Sequence, residues 1–297
     1  MIDVGRLQRI ARQLALPLGR KGAETAPGQR RIAVRGRGPT FVGHREYEYG
    51  DDVRHIDWNV SARLNRPHVK IFQQELAGSL IVLVDVSASM TGVPWGSSKL
   101  PMAHELAGLF ALAGQAMGER VGGGLFTDRI EVQQPPGRGR DAALRFIRLV
   151  EAHRPRSTAT NIAHVLERVL AGLKHPSVLV VISDFITPGW EAELRRVSLR
   201  HEVVGVALRD PREEQLPARR LVQLRDAESG TSRWVDSASA AVRGAYARFW
   251  VDLRARRRLA FERGQSPFIE LDIHEPYLPV LRSTLMTVGG VKSRASH

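Results

Sequence analysis

Two uninterrupted aliphatic runs constrain the fold of this chain more than any other feature of its sequence. Leu80–Val84 and Val178–Ile182 contain only Val, Ile and Leu. Runs of this length between turn signals are typical of strands that are buried on both faces of a sheet. The first run leads directly into Asp85 and the second into Ser183 and Asp184. Because open α/β sheets bind ligands at the carboxyl ends of their strands, both runs also predict where a site lies.

Strand-like and helical patterns alternate after Ser79, which predicts an α/β fold with a doubly wound, mostly parallel sheet. The predicted strands are Ser79–Val84, Val121–Phe126, its hairpin partner Ile130–Gln133, Val178–Ile182, Glu202–Leu208, Ser232–Val235 and Phe268–Ile273. The predicted helices are Lys99–Gly118, Arg138–Ala152, Asn161–Leu173, Trp190–Leu199, Ala238–Arg263 and a short one after Pro276. The pattern predicts a polar loop region directly after Arg209 and a frayed end over Gly289–His297.

The first 78 residues follow a different pattern. Residues 1–25 predict a short amphipathic helix and a Gly/Ala/Pro turn region, and residues 29–75 predict an N-terminal β-rich extension. Its expected strands lie at Ile32–Arg35, around Tyr47–Tyr49 and at Val69–Phe72. We therefore divide the chain into a helix and linker (1–28), a β-rich segment (29–77), an α/β domain (78–210) and C-terminal strands and helices packing on the same body (211–297).

Composition narrows the class of protein. The 297 residues include no cysteine, which excludes disulfides, thiolate metal sites and cysteine nucleophiles. Arginines interrupt the apolar residues of Met1–Arg20, and no stretch is long and apolar enough for a transmembrane helix, so we expect a cytoplasmic protein. The net charge of +13 leaves a basic nucleic-acid-binding protein open as an alternative. A generally basic surface is the simpler interpretation, because no block of five or more like charges occurs.

Asp85, Ser87 and Ser89 place a carboxylate and two hydroxyls at alternate positions after the first aliphatic run. These are the hard oxygen ligands that Mg²⁺ or Mn²⁺ prefers. Thr160, which opens a predicted helix, and Asp184, at the end of the second run, are further candidate ligands. The same Asp and Ser residues could instead only cap a turn or helix, since both types are common there.

Motifs of several enzyme classes are missing. Gly92–Lys99 lacks the Gly-Lys-Ser/Thr order of a phosphate loop, and His104-Glu105 has no second histidine four positions after the first. No Gly-x-Ser-x-Gly elbow surrounds Ser87 or Ser89. We therefore expect a protein that is not an enzyme, with a divalent-metal-dependent hydrolase as a less favoured alternative.

Three other sets of residues have mainly structural interpretations. Asp51, Asp52 and Asp57 are expected to pair with Arg54 and Arg63 and to cap turns, with Trp58 anchored in the core; a surface for a partner protein is the alternative. Gly122–Gly124 predicts close packing of a strand against the apolar helix. The isolated histidines, which are His153, His164 and His201, are expected at the surface or hydrogen-bonded in the core.

At this point the sequence resembles a known class of domain. Asp85, Ser87, Ser89, Thr160 and Asp184 match the five-part metal-ion-dependent adhesion site (MIDAS) of von Willebrand factor A domains. Gly43–Glu75, with the sequence REYEYGDDVRHIDWNVSARLNRPHVKIFQQE from Arg45, resembles the signature of the bacterial domain-of-unknown-function family fifty-eight. That family is von Willebrand factor A-like and is encoded beside MoxR-type AAA+ ATPases.

The resemblance implies a metal-dependent protein–protein interaction module that acts as an adaptor between a MoxR-type AAA+ ATPase and a client protein, in complex assembly or metal insertion. Asp85, Ser87 and Ser89 would bind Mg²⁺ (or Mn²⁺) directly, Thr160 would join or leave with conformation, and Asp184 would act through water. An exposed carboxylate of the client would complete the coordination. The sequence departs from the family pattern at Ala159-Thr160-Asn161, where Gly-Thr-Asp is common, and this changes the charge of the second metal loop.

Overall fold

The computed structural model describes residues 2–13, 39–48, 53, 56–74, 78–92, 96–218, 220–228 and 230–291. The chain divides into two compact units, one of Lys21–Gly78 and one of Met1–Arg20 together with Ser79–His297. The helices are α1 (Val4–Gln13), α2 (Trp58–Leu64), α3 (Leu100–Ala116), α4 (Gly139–Ala152), α5 (Ile162–Gly172), α6 (Glu191–Ser198), α7 (Ala240–Arg263) and α8 (Tyr277–Val291). The strands are β1 (Pro39–Glu46), β2 (His68–Gln74), β3 (Ser79–Asp85), β4 (Arg120–Phe126), β5 (Ile130–Gly137), β6 (Val178–Ser183), β7 (Glu202–Arg209), β8 (Leu221–Arg225), β9 (Ser232–Asp236) and β10 (Phe268–Asp272).

The larger unit is built on a six-stranded sheet with the order β10-β7-β6-β3-β4-β5. Its strands are parallel except for β5, which pairs antiparallel with β4 as the hairpin prediction expected. The predicted mostly parallel sheet is therefore confirmed, and both aliphatic runs lie side by side at its centre as β3 and β6.

Helices cover both faces of this sheet, and alternate residues of β3 point to different cores. Leu80, Val82 and Val84 pack into a cluster with α1, α3, α4 and α8, whereas Ile81 and Leu83 pack with α5, α6 and the end of α7. Because β3 is buried on both faces, its sequence is continuously apolar instead of alternating. Within the described residues no helix is long and apolar enough to cross a membrane.

The glycines of β4 allow close packing, but not against the helix that the sequence predicted. A Cβ on Gly123 would lie 2.1 Å from the Val82 carbonyl oxygen and 2.7 Å from the Phe146 ring of α4. A Cβ on Gly122 or Gly124 would meet the backbone of β5. The apolar helix α3 was the wrong partner for these glycines, since α4 supplies the ring that lies over Gly123.

Several element boundaries differ from the prediction. The polar loop expected after Arg209 contains the strand β8, which pairs antiparallel with β9. The last helix, α8, has 15 residues and runs to Val291, so it is not short and it includes the first three residues of the end that was predicted to fray over Gly289–His297. Residues 292–297 lie outside the described residues. In the smaller unit β1 ends at Glu46, before the Tyr47–Tyr49 alternation, and pairs antiparallel with β2. The expected strand Ile32–Arg35 lies outside the described residues.

The cap predicted at Asp57 is confirmed, but the core position predicted for Trp58 is wrong. The Asp57 carboxylate accepts hydrogen bonds from the backbone N–H groups of Asn59 (3.1 Å) and Val60 (3.3 Å) at the start of α2. Trp58 is the first residue of α2 and is 71% exposed, because this turn directs its side chain to solvent. Asp51, Asp52 and Arg54 lie outside the described residues.

The histidines follow the prediction in two cases out of three. His164 is exposed, and His153 lies 2.7 Å from a Glu131 carboxylate oxygen. His201 is buried, and neither ring nitrogen has a hydrogen-bond partner among the described residues. The prediction of a hydrogen-bonded core histidine is therefore wrong for His201, and burial lowers its pKa, helped by the charge of Arg200.

Candidate functional site

The first polar loop of the site follows directly from the end of β3. The backbone N–H of Ser87 donates to Asp85 Oδ1 at 2.9 Å, and the Ser87 and Ser89 hydroxyls lie 3.1 Å apart. Asp85 and Ser87 have no solvent exposure. The alternate spacing in the sequence thus brings the carboxylate and both hydroxyls to one turn.

Hydrogen bonds between loops bring the three predicted segments together at the carboxyl edge of the sheet. The Ala88 N–H donates to the Thr158 carbonyl oxygen at 3.0 Å, which holds the loop before α5 against the β3 loop. From the neighbouring strand β6, the Ser183 hydroxyl donates to Asp85 Oδ2 at 2.6 Å. The loops that carry Ser87, Thr160 and Asp184 therefore meet at one corner.

Thr160 has an unusual environment at this corner. It is 8% exposed, and its hydroxyl oxygen is fully buried without a hydrogen-bond partner among the described residues. Buried hydroxyls are normally hydrogen-bonded, since an unpaired one costs about 1–3 kcal/mol. Thr160 Oγ1 therefore has unused capacity to bind a ligand.

The turn after β6 fixes Asp184. Its Oδ1 accepts from the Ile186 N–H at 3.2 Å, and the next residue, Phe185, has a left-handed backbone with φ of 51°. The Phe185 ring is buried against Trp190 and Phe261, with ring centroids 5.1 and 5.3 Å apart. Aromatic packing thus stabilises a turn that a non-glycine residue rarely adopts.

Lys99, which the sequence analysis did not select, completes the charge balance beside Asp184. Its side chain is 1% exposed, and its ammonium lies 3.1 Å from Asp184 Oδ2, 2.7 Å from Glu213 Oε2 and 3.0 Å from the Ser89 carbonyl oxygen. Burial alone would lower the pKa of Lys99, but these two carboxylates hold it above its ordinary value. Local sequence carried no signal for this group, because Asp184 and Glu213 are distant in the chain.

Asp85, in contrast, has no cationic partner among the residues that the structure describes. Burial, and then the charge of Asp184, raise its pKa from 3.8 to about 7, against the opposing hydrogen bonds from Ser183 and Ser87. Two carboxylates whose negative charges repel each other favour a cation between or beside them. The Lys99 ammonium already offsets the charge of Asp184, so attraction for a further cation rests chiefly on Asp85.

The donors present fit a hard divalent cation. Two carboxylates and three hydroxyls are oxygen ligands of the kind that Mg²⁺ and Mn²⁺ prefer, and the unpartnered Thr160 hydroxyl is an available donor. In the described part of the chain no group of three or more His, Cys, Asp or Glu side chains could hold a metal. A metal centre here would therefore depend on the hydroxyls of Ser87, Ser89 and Thr160.

Glu228 is the second residue that the sequence analysis missed. It lies between β8 and β9, and its Oε2 accepts the Thr160 N–H at 3.0 Å. The Thr187 hydroxyl lies 3.2 Å from Oε1 and 3.4 Å from Oε2, and the Thr158 hydroxyl donates to the Glu228 carbonyl oxygen at 3.0 Å. A lone glutamate in a predicted polar loop gives no sequence signal of this contact.

The fold and site together define an α/β protein with an oxygen-rich loop cluster at the carboxyl edge of a mostly parallel sheet. The model of the family described as "Protein of unknown function DUF58" matches residues 43–256, and the chain belongs to that family. Uncharacterized proteins of Mycobacterium bovis and of Mycobacterium tuberculosis strain H37Rv are each 31% identical to it over 237 residues. These alignments cover 78% of this chain and 74% of each mycobacterial chain.

Two solved structures from Bacteroides are also similar to this chain. The conserved hypothetical protein BatB of Bacteroides thetaiotaomicron is 14% identical, with a TM-score of 0.47, over 74% of this chain and 100% of its own. An aerotolerance-related membrane protein of Bacteroides fragilis is 16% identical, with a TM-score of 0.47, over 71% of this chain and 100% of its own.

Proposed function

We propose that this chain is a non-enzymatic protein–protein interaction module with a von Willebrand factor A-like fold, and that a divalent cation controls its affinity. The cation would be Mg²⁺ or Mn²⁺, bound directly by Asp85, Ser87 and Ser89. Thr160 would join or leave the coordination with conformation, and Asp184 would act through water. When bound, the cation supplies positive charge that can receive a carboxylate of another protein.

The observation that carries this proposal is the unpartnered hydroxyl of Thr160 at the corner where the other four residues meet. Among the described residues this buried hydroxyl has no hydrogen-bond partner, so it is available to bind a cation beside Asp85, Ser87 and Ser89. The same corner holds Asp85, whose pKa is raised by burial and by the charge of Asp184, so that a bound cation would favour its ionised form.

The contacts of the two serines argue against a serine nucleophile. Their hydroxyls contact each other, and neither contacts a histidine within the described residues, so the partner that would activate a serine nucleophile is missing. The proposed partner is a MoxR-type AAA+ ATPase, with a client protein that presents a carboxylate. This partnership follows from the family resemblance and is the part of the proposal that needs a direct test.

Calorimetric titration with Mg²⁺ and Mn²⁺ tests the metal. We expect the wild-type chain to bind one ion, and Asp85→Ala to abolish binding because it removes the only carboxylate among the three direct ligands. Asp252→Ala, which removes an exposed carboxylate from α7, is the matched control and should bind as the wild type does. The metal proposal is wrong if the wild type binds no ion or if Asp85→Ala binds as tightly.

Co-purification with and without Mg²⁺ tests the partner. An AAA+ ATPase that the wild type retains only with metal, and that Asp85→Ala loses, would support the adaptor proposal. Retention that is the same without metal, or in the variant, would contradict it. A nucleic-acid binder would instead give a complex that weakens steeply with salt, independently of Asp85.

A further inference from the structure

We propose that Thr160 and Thr187 form a carboxylate-binding subsite, that Glu228 of the same chain occupies it in this structure, and that an acidic side chain of a partner binds by displacing Glu228. The part of this inference that concerns a partner protein rests on the proposed recognition function. The subsite itself is made of protein donors and does not require the cation.

The subsite is built by two separate elements. The Thr160 N–H comes from the loop before α5, and the Thr187 hydroxyl comes from the loop after β6; both lie within hydrogen-bonding distance of the Glu228 carboxylate. Hydrogen bonds to an ionised acceptor are about twice as strong as neutral ones. Two donors converging from different loops select a carboxylate over a single neutral oxygen.

The turn between β8 and β9 presents Glu228 in a preformed conformation. The Asp226 side chain accepts from the Glu228 N–H at 3.1 Å, and its carbonyl oxygen accepts from Gly230 N–H at 3.0 Å. Gly230 has φ of 70°, a conformation that favours glycine. The Thr158 hydroxyl, at 3.0 Å from the Glu228 carbonyl oxygen, attaches the same turn to the loop before α5.

A second, independent observation marks this corner as a ligand site. Thr160 also carries the buried hydroxyl that has no partner among the described residues. The Thr160 N–H donates to the Glu228 carboxylate, whereas the Thr160 hydroxyl does not contact Glu228. Thr160 therefore borders both the occupied subsite and the proposed cation position. An incoming carboxylate that uses the Thr160 and Thr187 donors must replace Glu228.

Displacement has a measurable consequence. A ligand tethered by a short segment competes with an effective concentration in the millimolar range. Hydrogen bonds to a charged acceptor are stronger than hydrogen bonds to a neutral one, so removing the charge of Glu228 should weaken the internal contact and raise the affinity for an external carboxylate by about tenfold. The positive net charge of the chain favours approach of an acidic segment.

The probe is a synthetic peptide with this chain's own sequence over residues 224–233, which contains Glu228, and a control peptide carries Gln at that position. Binding is measured by calorimetry to the full chain, in EDTA and in Mg²⁺. We expect Glu228→Gln to bind the glutamate peptide about tenfold more tightly than the wild type, because its neutral amide competes less well for the Thr160 and Thr187 donors. Glu262→Gln, at an exposed position of α7, is the matched control and should behave as the wild type.

A second variant keeps the proposal open to refutation if the turn rearranges. Thr187→Val, added to Glu228→Gln, removes one donor and should abolish the gain in peptide affinity. Equal peptide affinity of wild type and Glu228→Gln, equal binding of both peptides, or no effect of Thr187→Val would each overturn the subsite. A gain seen in EDTA but no metal binding by the wild type would refute the cation proposal and leave the subsite intact.

Discussion

At the residue scale, the two groups that change the interpretation of the site most are Lys99 and Glu228. The ion pairs of Lys99 and the side-chain contacts of Glu228 join residues far apart in the chain, so spacing and local pattern gave no signal for either. The metal-ligand candidates could be predicted because each directly follows an aliphatic strand or opens a predicted helix. Sequence pattern thus predicted where the oxygen donors lie, and only tertiary contacts identified the charges that balance or occupy them.

Lys99 is buried between two carboxylates, and its removal should be strongly destabilising. Lys99→Met leaves Asp184 and Glu213 buried without their cation, and breaking a buried ion pair from one side costs about 3–5 kcal/mol. We expect the free energy of unfolding in urea to fall by about that amount. Lys174→Met, at an exposed position, should change it by less than about 0.5 kcal/mol. A loss below about 1 kcal/mol for Lys99→Met would contradict this account.

Asp85 should make the stability of the metal-free protein depend on pH. Its folded-state pKa is about 7, and its ordinary value is 3.8, so the folded state keeps a proton that the unfolded chain releases. The contribution of this protonated carboxyl to the free energy of unfolding is complete below the ordinary pKa of 3.8, and it is lost as the pH rises to the folded-state pKa of about 7. We expect the free energy of unfolding in EDTA to show this loss between about pH 4 and pH 7.

The matched variant for that titration is Asp85→Asn, which cannot ionise and should lack this part of the pH dependence. Saturating Mg²⁺ should oppose the loss in the wild type, because a cation favours the ionised carboxylate. An Asp85→Asn profile that coincides with the wild-type profile in EDTA would show that another group titrates.

At the scale of elements, continuous aliphatic runs and helical periodicity predicted the central sheet well. The sequence pattern did not predict elements that depend on pairing with another part of the chain. The strand β8 is an example, because it is short, is half-exposed and pairs with β9. The position of Trp58 was mispredicted for a related reason. Large aromatic residues are usually buried, but Trp58 is the first residue of α2 and its side chain faces solvent.

The β3–β4 contact offers the sharpest test at this scale. Gly123→Ala would place a Cβ against the Val82 carbonyl oxygen and the Phe146 ring. To relieve these contacts, β4 must move away from β3 and from α4. Overpacking of this kind costs about 1–3 kcal/mol, and we expect the upper end because backbone is involved. Gly172→Ala, where a Cβ meets nothing within 4 Å, is the control and should be neutral or stabilising, as measured by chemical denaturation. Equal stability of the two variants would refute this packing.

At the scale of the whole molecule, the site draws on residues from most of the larger unit. The residues of the site span more than a hundred positions of the chain, from Asp85 to Glu228. Between these two lie Lys99, Thr158, Thr160, Asp184 and Glu213. A fragment ended at residue 210, the boundary that the sequence pattern suggested for the α/β domain, would lack Glu213 and Glu228. The larger unit joins residues from both ends of the chain, so binding studies should use the full chain.

The turn that carries Glu228 belongs to a hairpin whose exposed face carries two large apolar side chains among polar ones. Leu221 and Trp234 lie on the same side of β8 and β9 and are 66% and 64% exposed. Thermodynamic linkage is reciprocal: a molecule that binds this exposed face more tightly when Glu228 is released must strengthen carboxylate binding at Thr160 and Thr187 by the same factor. A molecule bound at Leu221 and Trp234 with that preference would therefore regulate carboxylate binding through the turn that holds Glu228.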